Sequence, residues 1–445
     1  MRLSLKILLV IAMTIALLIP LTMIRGTVHD RQRYRAEAVA DVAKSTAGEQ
    51  TLEAPVLFVP YEDRTVTTTT DDRGVRQQAE HVEVGTLVYF PEQLRVGGTM
   101  RSIPRMRGLH EVRVYELDAA IRADFSVRLP SPTDSRTART YGEPRLGFGI
   151  EDVRGLVGVP TLRVAGAAHA LQQGLGHGDR RGLHVRLTAP ANDAVLAFDV
   201  EFDATLQGTE ALAIAPLGAR NEITLASNWP HPQFRGDFLP RTRRVGDDGF
   251  RALWEISSLA TNAQAQYRAR MQNREVPAGI DAIAVSLVDP VNVYSQVDRA
   301  TKYGLLFVLL TFVAFFMFES LRQLRIHPIQ YGLVGLALAI FFLLLLALSE
   351  RIAFGIAYVI SATACIGLIG YYLGHVLRAR ARGVGFAATL ATLYAALYGL
   401  LISEDNALVL GAGLLFVVLA AIMVLTRKVD WYQVATLPSS PLPAD

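Results

Sequence analysis

The sequence predicts a membrane protein: an α-helical bundle of six transmembrane helices carrying a large, mostly-β, sandwich-like outer domain of two lobes. Three observations predict it. Apolar blocks follow one another from Lys302 to Thr426, cut by very short polar breaks. Another apolar run stands near the N-terminus. Between them lies a long region of short alternating segments and turn residues. Composition agrees: 51% of the 445 residues are hydrophobic and 19% are charged, against roughly 25% charged in a soluble domain.

Arg2 and Lys6 precede the apolar run Ile7–Ile24, which holds Pro20. The run is longer than a signal-peptide core. Its exit, Met23-Ile24-Arg25-Gly26, lacks a small-x-small cleavage site. Residues 1–25 therefore read as an uncleaved signal anchor, and a proline is tolerable near the end of a membrane helix. Arg31–Ala47 combines good helix formers with mixed charges. It reads as a short helix at the membrane surface or a lead into the next domain.

Residues 26–300 form the expected β-rich domain. Leu52–Tyr61 is strand-like, and Pro55 and Pro60 suit an edge or an end of a sheet. Thr65–Thr70 is β-branched and is followed by the turn residues Asp71-Asp72-Arg73-Gly74. His81–Phe90, the two ends of Glu111–Val127, Leu183–Leu187 and Ala194–Leu206 alternate with a period near two. Thr224–Pro240, Phe250–Leu259 and Ile280–Val288 complete a strand-rich set. Residues 130–145 are polar and proline-bearing, which predicts a long loop or a lobe boundary. The single cysteine, Cys365, lies in an apolar block, so no internal disulfide can form. The domain must hold together by burial.

One stretch of that domain invites a binding role. Ser227–Pro240 gathers Trp229, His231 and Phe234 among three prolines, which remove donors and fix φ. It can be a recognition loop in which those three residues contact a ligand or partner. It can instead be a corner that plugs one end of a sandwich, which is the weightier reading. A lone His231 without spaced Cys, His or carboxylates is a poor metal ligand, and no metal is expected. Phe250 and Trp254 suit core packing.

The C-terminal half, residues 301–426, divides into Tyr303–Phe318, Ile329–Leu348, Ile352–Val376, Val384–Ile402 and Ala407–Leu425. About 20 apolar residues span the hydrocarbon as a helix, and the first block extends into its amphiphilic flanks. The breaks alternate in charge. Arg322 and Arg325 fall in the first, Glu350 and Arg351 in the second, Arg378, Arg380 and Arg382 in the third. Glu404 and Asp405 fall in the fourth. Basic residues stay on the cytoplasmic side, so both termini and the tail 427–445 are expected inside and residues 26–300 outside. Trp431 and Tyr432 suit an interfacial belt.

The spans hold few ionisable groups, whereas a transporter usually carries them at depth. Glu319 and His375 fall at helix ends. Glu350, Glu404 and Asp405 share the outer side and can form an acidic site there, or be solvated helix ends. Tyr358, Tyr394 and Tyr398 can bond between helices or line a polar path. Gly367, Gly370 and Gly374 allow close packing. Gly411-Ala412-Gly413 lies within a span and is no phosphate loop. No hydrolase triad or zinc-protease motif occurs, so no catalytic residue and no cofactor are expected. The net charge of +3 gives no sign of nucleic acid. The arginine breaks can touch membrane lipids, although their topological role suffices.

Several stretches resemble the bacterial inner-membrane CreD family. They are Arg299–Phe307, Leu310-Thr311-Phe312, Phe315–Glu319, His327–Gly335, Leu348-Ser349-Glu350, Tyr398–Asp405 and Thr426–Tyr432. The outer domain contributes Trp229–Pro232, Gly236–Pro240 and Gly249–Trp254. The resemblance spans the chain, though Arg31–Ile223 adds little. It implies an inner-membrane protein of Gram-negative bacteria, tied to a sensor-kinase and response-regulator pair and to cell-envelope integrity. The outer domain is then periplasmic. It implies no catalytic residues. It also implies an aspartate where Asn292 stands.

Three functions follow as expectations. The first is a non-enzymatic envelope-integrity and stress-response factor whose periplasmic domain binds a protein partner or an envelope component. The second is a transporter or lipid-handling protein using the helical bundle. A membrane-embedded enzyme has least support, because paired acid and base groups at depth are absent.

Overall fold

The computed structural model describes residues 3–70, 76–132, 134, 136–178, 180–191, 194–272, 279–287, 293–322, 327–376, 380–403 and 407–427. The chain divides into two compact units. One combines residues 1–35 with 291–445, and the other is Ala36–Pro290. The β-rich unit is thus narrower at both ends than the 26–300 expected. The reason lies in the flanking helices. α1 (Leu3–Ala16) is followed after Leu17 by α2 (Leu18–Ser45), which continues through Gly26 and the charged stretch.

The β-rich unit holds a nine-stranded and an eight-stranded sheet. Gln50–Thr70 is central to the first. It pairs parallel with Ala211–Ala215 at its start, and antiparallel with Arg145–Ile150 on its other side. Its distal half pairs with Arg76–Tyr89. The edge placement expected from Pro55 and Pro60 is therefore corrected. Pro55 is accommodated because the register with Arg145–Ile150 shifts between Glu53 and Val56, and a bulge is where a strand tolerates proline.

The second sheet is built on the hairpin Gln93–Arg107 and His110–Arg128, which turns at Gly108 with φ +61°. Val195–Thr209 pairs along nearly the whole length of His110–Arg128. Arg220–Ser227 runs parallel to Gln93–Met100 and antiparallel to Gly249–Ser257. Alternating burial along His110–Arg128 turns Leu117, Ala119, Ile121, Ala123 and Phe125 into the interior shared with the other sheet, as a pleated strand with one covered face requires, whereas Val112 and Val114, of the opposite parity, are covered separately.

The two sheets share one apolar interior. Leu52, Val56, Phe58 and Phe148 of the first lie in the same cluster as Val96, Leu117, Phe202 and Trp254 of the second. Phe148 stacks on Phe202 across the gap at 4.4 Å between ring centroids. The expected pair of lobes is thus replaced by one sandwich. Within the expected boundary, 130–145, Thr137–Tyr141 pairs with Tyr61–Thr65. The segment carries the chain from one sheet to the other rather than between lobes.

Polar contacts fix where α2 hands over to this sandwich. The Gln50 side chain donates to the carbonyls of Asp152 and Gln207 at 2.8 and 3.0 Å, and Thr209 donates to Ala47 O at 2.7 Å. Asp152 accepts from Gly48 N and from Arg154. The Arg154 guanidinium holds its carboxyl down to about 2. Ala38 and Val42 of α2 pack on Val112 and Val114.

The other unit comprises α1, the start of α2 and five further helices. α3 (Ala263–Met271) belongs to the β-rich unit. The five are α4 (Val293–Arg322), α5 (Pro328–Ser349), α6 (Phe354–Val376), α7 (Arg380–Ile402) and α8 (Ala407–Thr426). Five stretches among the described residues are long and apolar enough to cross a membrane: Ile11–Ser45, Val293–Met317, Pro328–Ser349, Phe354–Val376 and Gly383–Ile402. Val409–Val424 is a shorter apolar helix. Leu17 and Leu21 join the interior formed by Phe312, Tyr331, Phe342 and Tyr394, so the two ends of the chain build one bundle. α6 and α7 approach closely where a Cβ on Gly383 would lie 2.7 Å from Gly374 Cα. Gly370 also serves this contact, whereas Gly367 faces open space.

Phe148→Ala removes the ring that bridges the sheets, a core truncation that costs roughly 3–5 kcal/mol. The expected result is a lower urea midpoint for the full chain in detergent, followed by tryptophan fluorescence. An unchanged midpoint would contradict a shared interior.

Candidate functional site

The sequence candidates fall in separate places. Trp229 is buried, 6% exposed. Its indole N–H donates to His231 O at 2.8 Å, and its backbone N–H donates to Ser227 Oγ. The Arg113 guanidinium lies 4.2 Å above the ring. Phe234 is half-buried and meets Phe250 and Trp254 edge-to-face at 5.6 and 5.8 Å. Trp254 donates to Phe238 O. Both aromatics are thus occupied in closing a corner of the sandwich, and His231 remains exposed on the surface of that corner. A partner at this corner would meet His231 and the surrounding backbone first.

Glu350 C-caps α5 and lies within the membrane unit's polar contacts. Arg31 Nε stands 3.2 Å from its carboxylate, and the Tyr294 hydroxyl donates to it at 3.5 Å. A second carboxylate, Asp298, takes Lys302 at 2.7 Å and Arg25 at 3.3 Å. These pairings tie α2, α4 and α5 together. Glu404 and Asp405 lie outside the described residues, as do Asn292, Trp431 and Tyr432, so an acidic site joining them to Glu350 has no geometry to report.

Glu319 lies near the end of α4, as the sequence places it, and is only 3% exposed. Its carboxylate accepts from the Tyr331 hydroxyl at 2.8 Å, and Tyr331 is packed by Phe312 and Phe315. Two stretches singled out in the sequence, Phe315–Glu319 and His327–Gly335, are thereby joined through one buried hydrogen bond. His327 opens the second with a capping box that includes Gln330. A further chain runs through α5, α6 and α7. Tyr358 donates to Tyr394 O at 2.8 Å, the Tyr394 hydroxyl contacts Cys365 Sγ at 3.1 Å, and Cys365 Sγ contacts Ala337 O at 3.4 Å. These tyrosines bond between helices.

One concavity went unnoticed in the sequence. It measures about 660 Å³ and is lined by Glu53, Glu151, His177, Arg180, Arg181 and Arg270, among others. The arginines are separated by some 90 positions of chain, and no local pattern joins them. Gly174, Gly176, Gly178 and Gly182, all at positive φ, were the available signal for a built loop. Among the described residues, no group of three or more His, Cys, Asp or Glu side chains is placed to hold a metal ion.

Comparison with known proteins bears on both units. A family model described as inner membrane protein CreD matches residues 2–432. Inner membrane protein CreD of Escherichia coli is 36% identical over 417 residues, which cover 94% of this chain and 91% of that protein. Among solved structures, leukotriene A4 hydrolase from Saccharomyces cerevisiae is similar at a TM-score of 0.22 and 9% identity, covering 46% of this chain and 30% of that one. An M1 zinc metallopeptidase from Deinococcus radiodurans is similar at 0.21 and 7%, covering 44% and 42%. Likenesses so slight carry no argument. The family match runs through the apolar helices and the sandwich alike, and this chain belongs to the CreD family of multi-pass inner-membrane proteins.

Proposed function

We propose that this protein is a non-enzymatic factor of cell-envelope integrity and stress response, with residues 36–290 in the periplasm and both termini in the cytoplasm. The sandwich binds a periplasmic protein or an envelope component. The observation that carries the orientation is the alternation of charge between spans. Along the sequence, breaks carrying Arg322 and Arg325, then Arg378, Arg380 and Arg382, alternate with breaks carrying Glu350 and Arg351, then Glu404 and Asp405. Retention of basic residues in the cytoplasm puts the β-rich unit outside. Family membership supports the envelope role, and the exposed His231 corner supports binding.

A second reading has its own support. A carboxylate inside a membrane bundle is expensive and commonly functional, and Glu319 is one. A transporter or lipid-handling protein would use it together with Glu350.

In living cells, a photo-crosslinking residue in place of His231 is expected to give a discrete protein or glycan adduct. No adduct from a functional variant would overturn binding at this corner. Glu319→Gln and Glu350→Gln separate the two readings. Variants that remain folded and fully functional count against transport, whereas loss of function with the adduct retained favours it.

A further inference from the structure

The concavity beside Glu53 is built by three pieces of the β-rich unit. Glu53 comes from strand Gln50–Thr70. Gly149, Ile150 and Glu151 come from the end of its antiparallel neighbour. Arg270 and Met271 come from the last turn of α3, and the remaining wall includes Leu175, His177, Gly178, Arg180 and Arg181. Apolar Ile150, Leu175 and Met271 floor it, so it is neither a bare charged surface nor an apolar groove.

The loop is held in shape. Gly174 N donates to Gly182 O at 2.8 Å, and Leu175 N donates to Arg180 O at 3.0 Å. Arg145 clamps it from beneath, donating to Gly176 O at 2.6 Å. Leu175 is fully buried, and His177 lies flat on Phe58 at 5.1 Å with 9° between the rings. Burial, together with the charges of Arg145 and Arg180, pulls the His177 pKa down, which favours its uncharged form. The positive charge in the wall is that of the arginines.

Their partners are unequal. Arg270 is paired with Glu53, which fits because the facing residue is Gly149; a Cβ there would run into the Glu53 carboxylate. Arg181 donates to the carbonyl of Glu151 at 3.4 Å. Among the described residues Arg180 is within ion-pair reach of no carboxylate, although it is half-buried. Three guanidiniums against the two carboxylates of Glu53 and Glu151 leave the lining with one net positive charge. Planar forks of N–H donors are suited to oxyanions. Three of them around one cavity can serve the several oxygens of a tetrahedral group, where a planar carboxylate offers two.

We propose that this pocket binds a small ligand through a phosphate-type oxyanion, held by Arg180 and Arg181 with Arg270 behind them, its apolar portion lying on Ile150, Leu175 and Met271. It stands independently of the envelope role, since it requires no partner protein and no particular orientation.

The test is made on the purified full chain in a neutral detergent, by titration calorimetry with inorganic phosphate, glycerol 3-phosphate and acetate. A parallel measurement in nanodiscs, with and without phosphatidylglycerol, distinguishes a soluble ester from a lipid headgroup. Phosphate or its ester is expected to bind more tightly than acetate. In Arg180→Gln the affinity should fall about tenfold or more, and in the exposed Arg181→Gln it should fall as well, with melting temperatures unchanged. If the headgroup is the source, phosphatidylglycerol nanodiscs should abolish the soluble phosphate signal, and Arg180→Gln should remove that competition. Binding of phosphate that is unaltered in both variants would overturn the assignment. Acetate binding as tightly would overturn the phosphate class, and absence of binding in every arm would overturn the site.

Discussion

Two sheets with no disulfide between them can hold a single conformation only if their inner faces are packed against each other. Residues 36–290 depend on that burial. The single cysteine of the chain lies in the helical unit. Every other feature of the sandwich is arranged around its interior. Trp229 and Trp254 send their indole N–H groups to His231 O and Phe238 O, so large apolar rings are buried without stranding a donor. The Gln50 side chain, at the start of the first strand, donates to the Asp152 carbonyl and accepts from the Asp152 backbone N–H, which lets a helix end and a strand begin within buried surroundings.

The helical unit obeys the same rule in a less forgiving solvent. Polar groups in hydrocarbon must be satisfied by one another. Asp298 and Glu350 are each met by cations from α2, and Asp298 also by Lys302. Glu319, Tyr331, Tyr358, Tyr394 and Cys365 are met from neighbouring helices. These bonds specify which helix lies beside which, something apolar side chains alone do poorly. Among the described residues of this unit, Glu319 and Asp298 are the buried carboxylates.

Much of the fold was legible in the sequence because its cues are local. Apolar blocks place α5 to α8 to within a few residues, while α4 begins ten residues before its block, and alternation marks strands such as His110–Arg128 and Val195–Thr209. What was illegible depended on distant pairing. Pro55 suggested an edge, and only the register shift against Arg145–Ile150 explains a proline in a central strand. Polar residues 130–145 suggested a boundary, yet Thr137–Tyr141 completes a sheet. Trp229 and Phe234 allowed a recognition role beside the weightier packing role, and their ring contacts show that they pack. Glu319 sits near a predicted helix end, and its burial follows from how α4 and α5 cross. Arg180, Arg181 and Arg270 meet only because α3 folds back beside the first sheet's opening strand.

The proposed envelope role depends on the sandwich standing on the periplasmic side of the inner membrane. The most direct measurement labels intact cells with a membrane-impermeant maleimide after His231→Cys is introduced into a Cys365→Ser background. His231 is exposed, and serine at 365 can keep the contacts to Tyr394 and Ala337. The account predicts labelling in cells whose outer membrane is permeabilised and whose inner membrane is intact. Labelling only after the inner membrane is broken would contradict it.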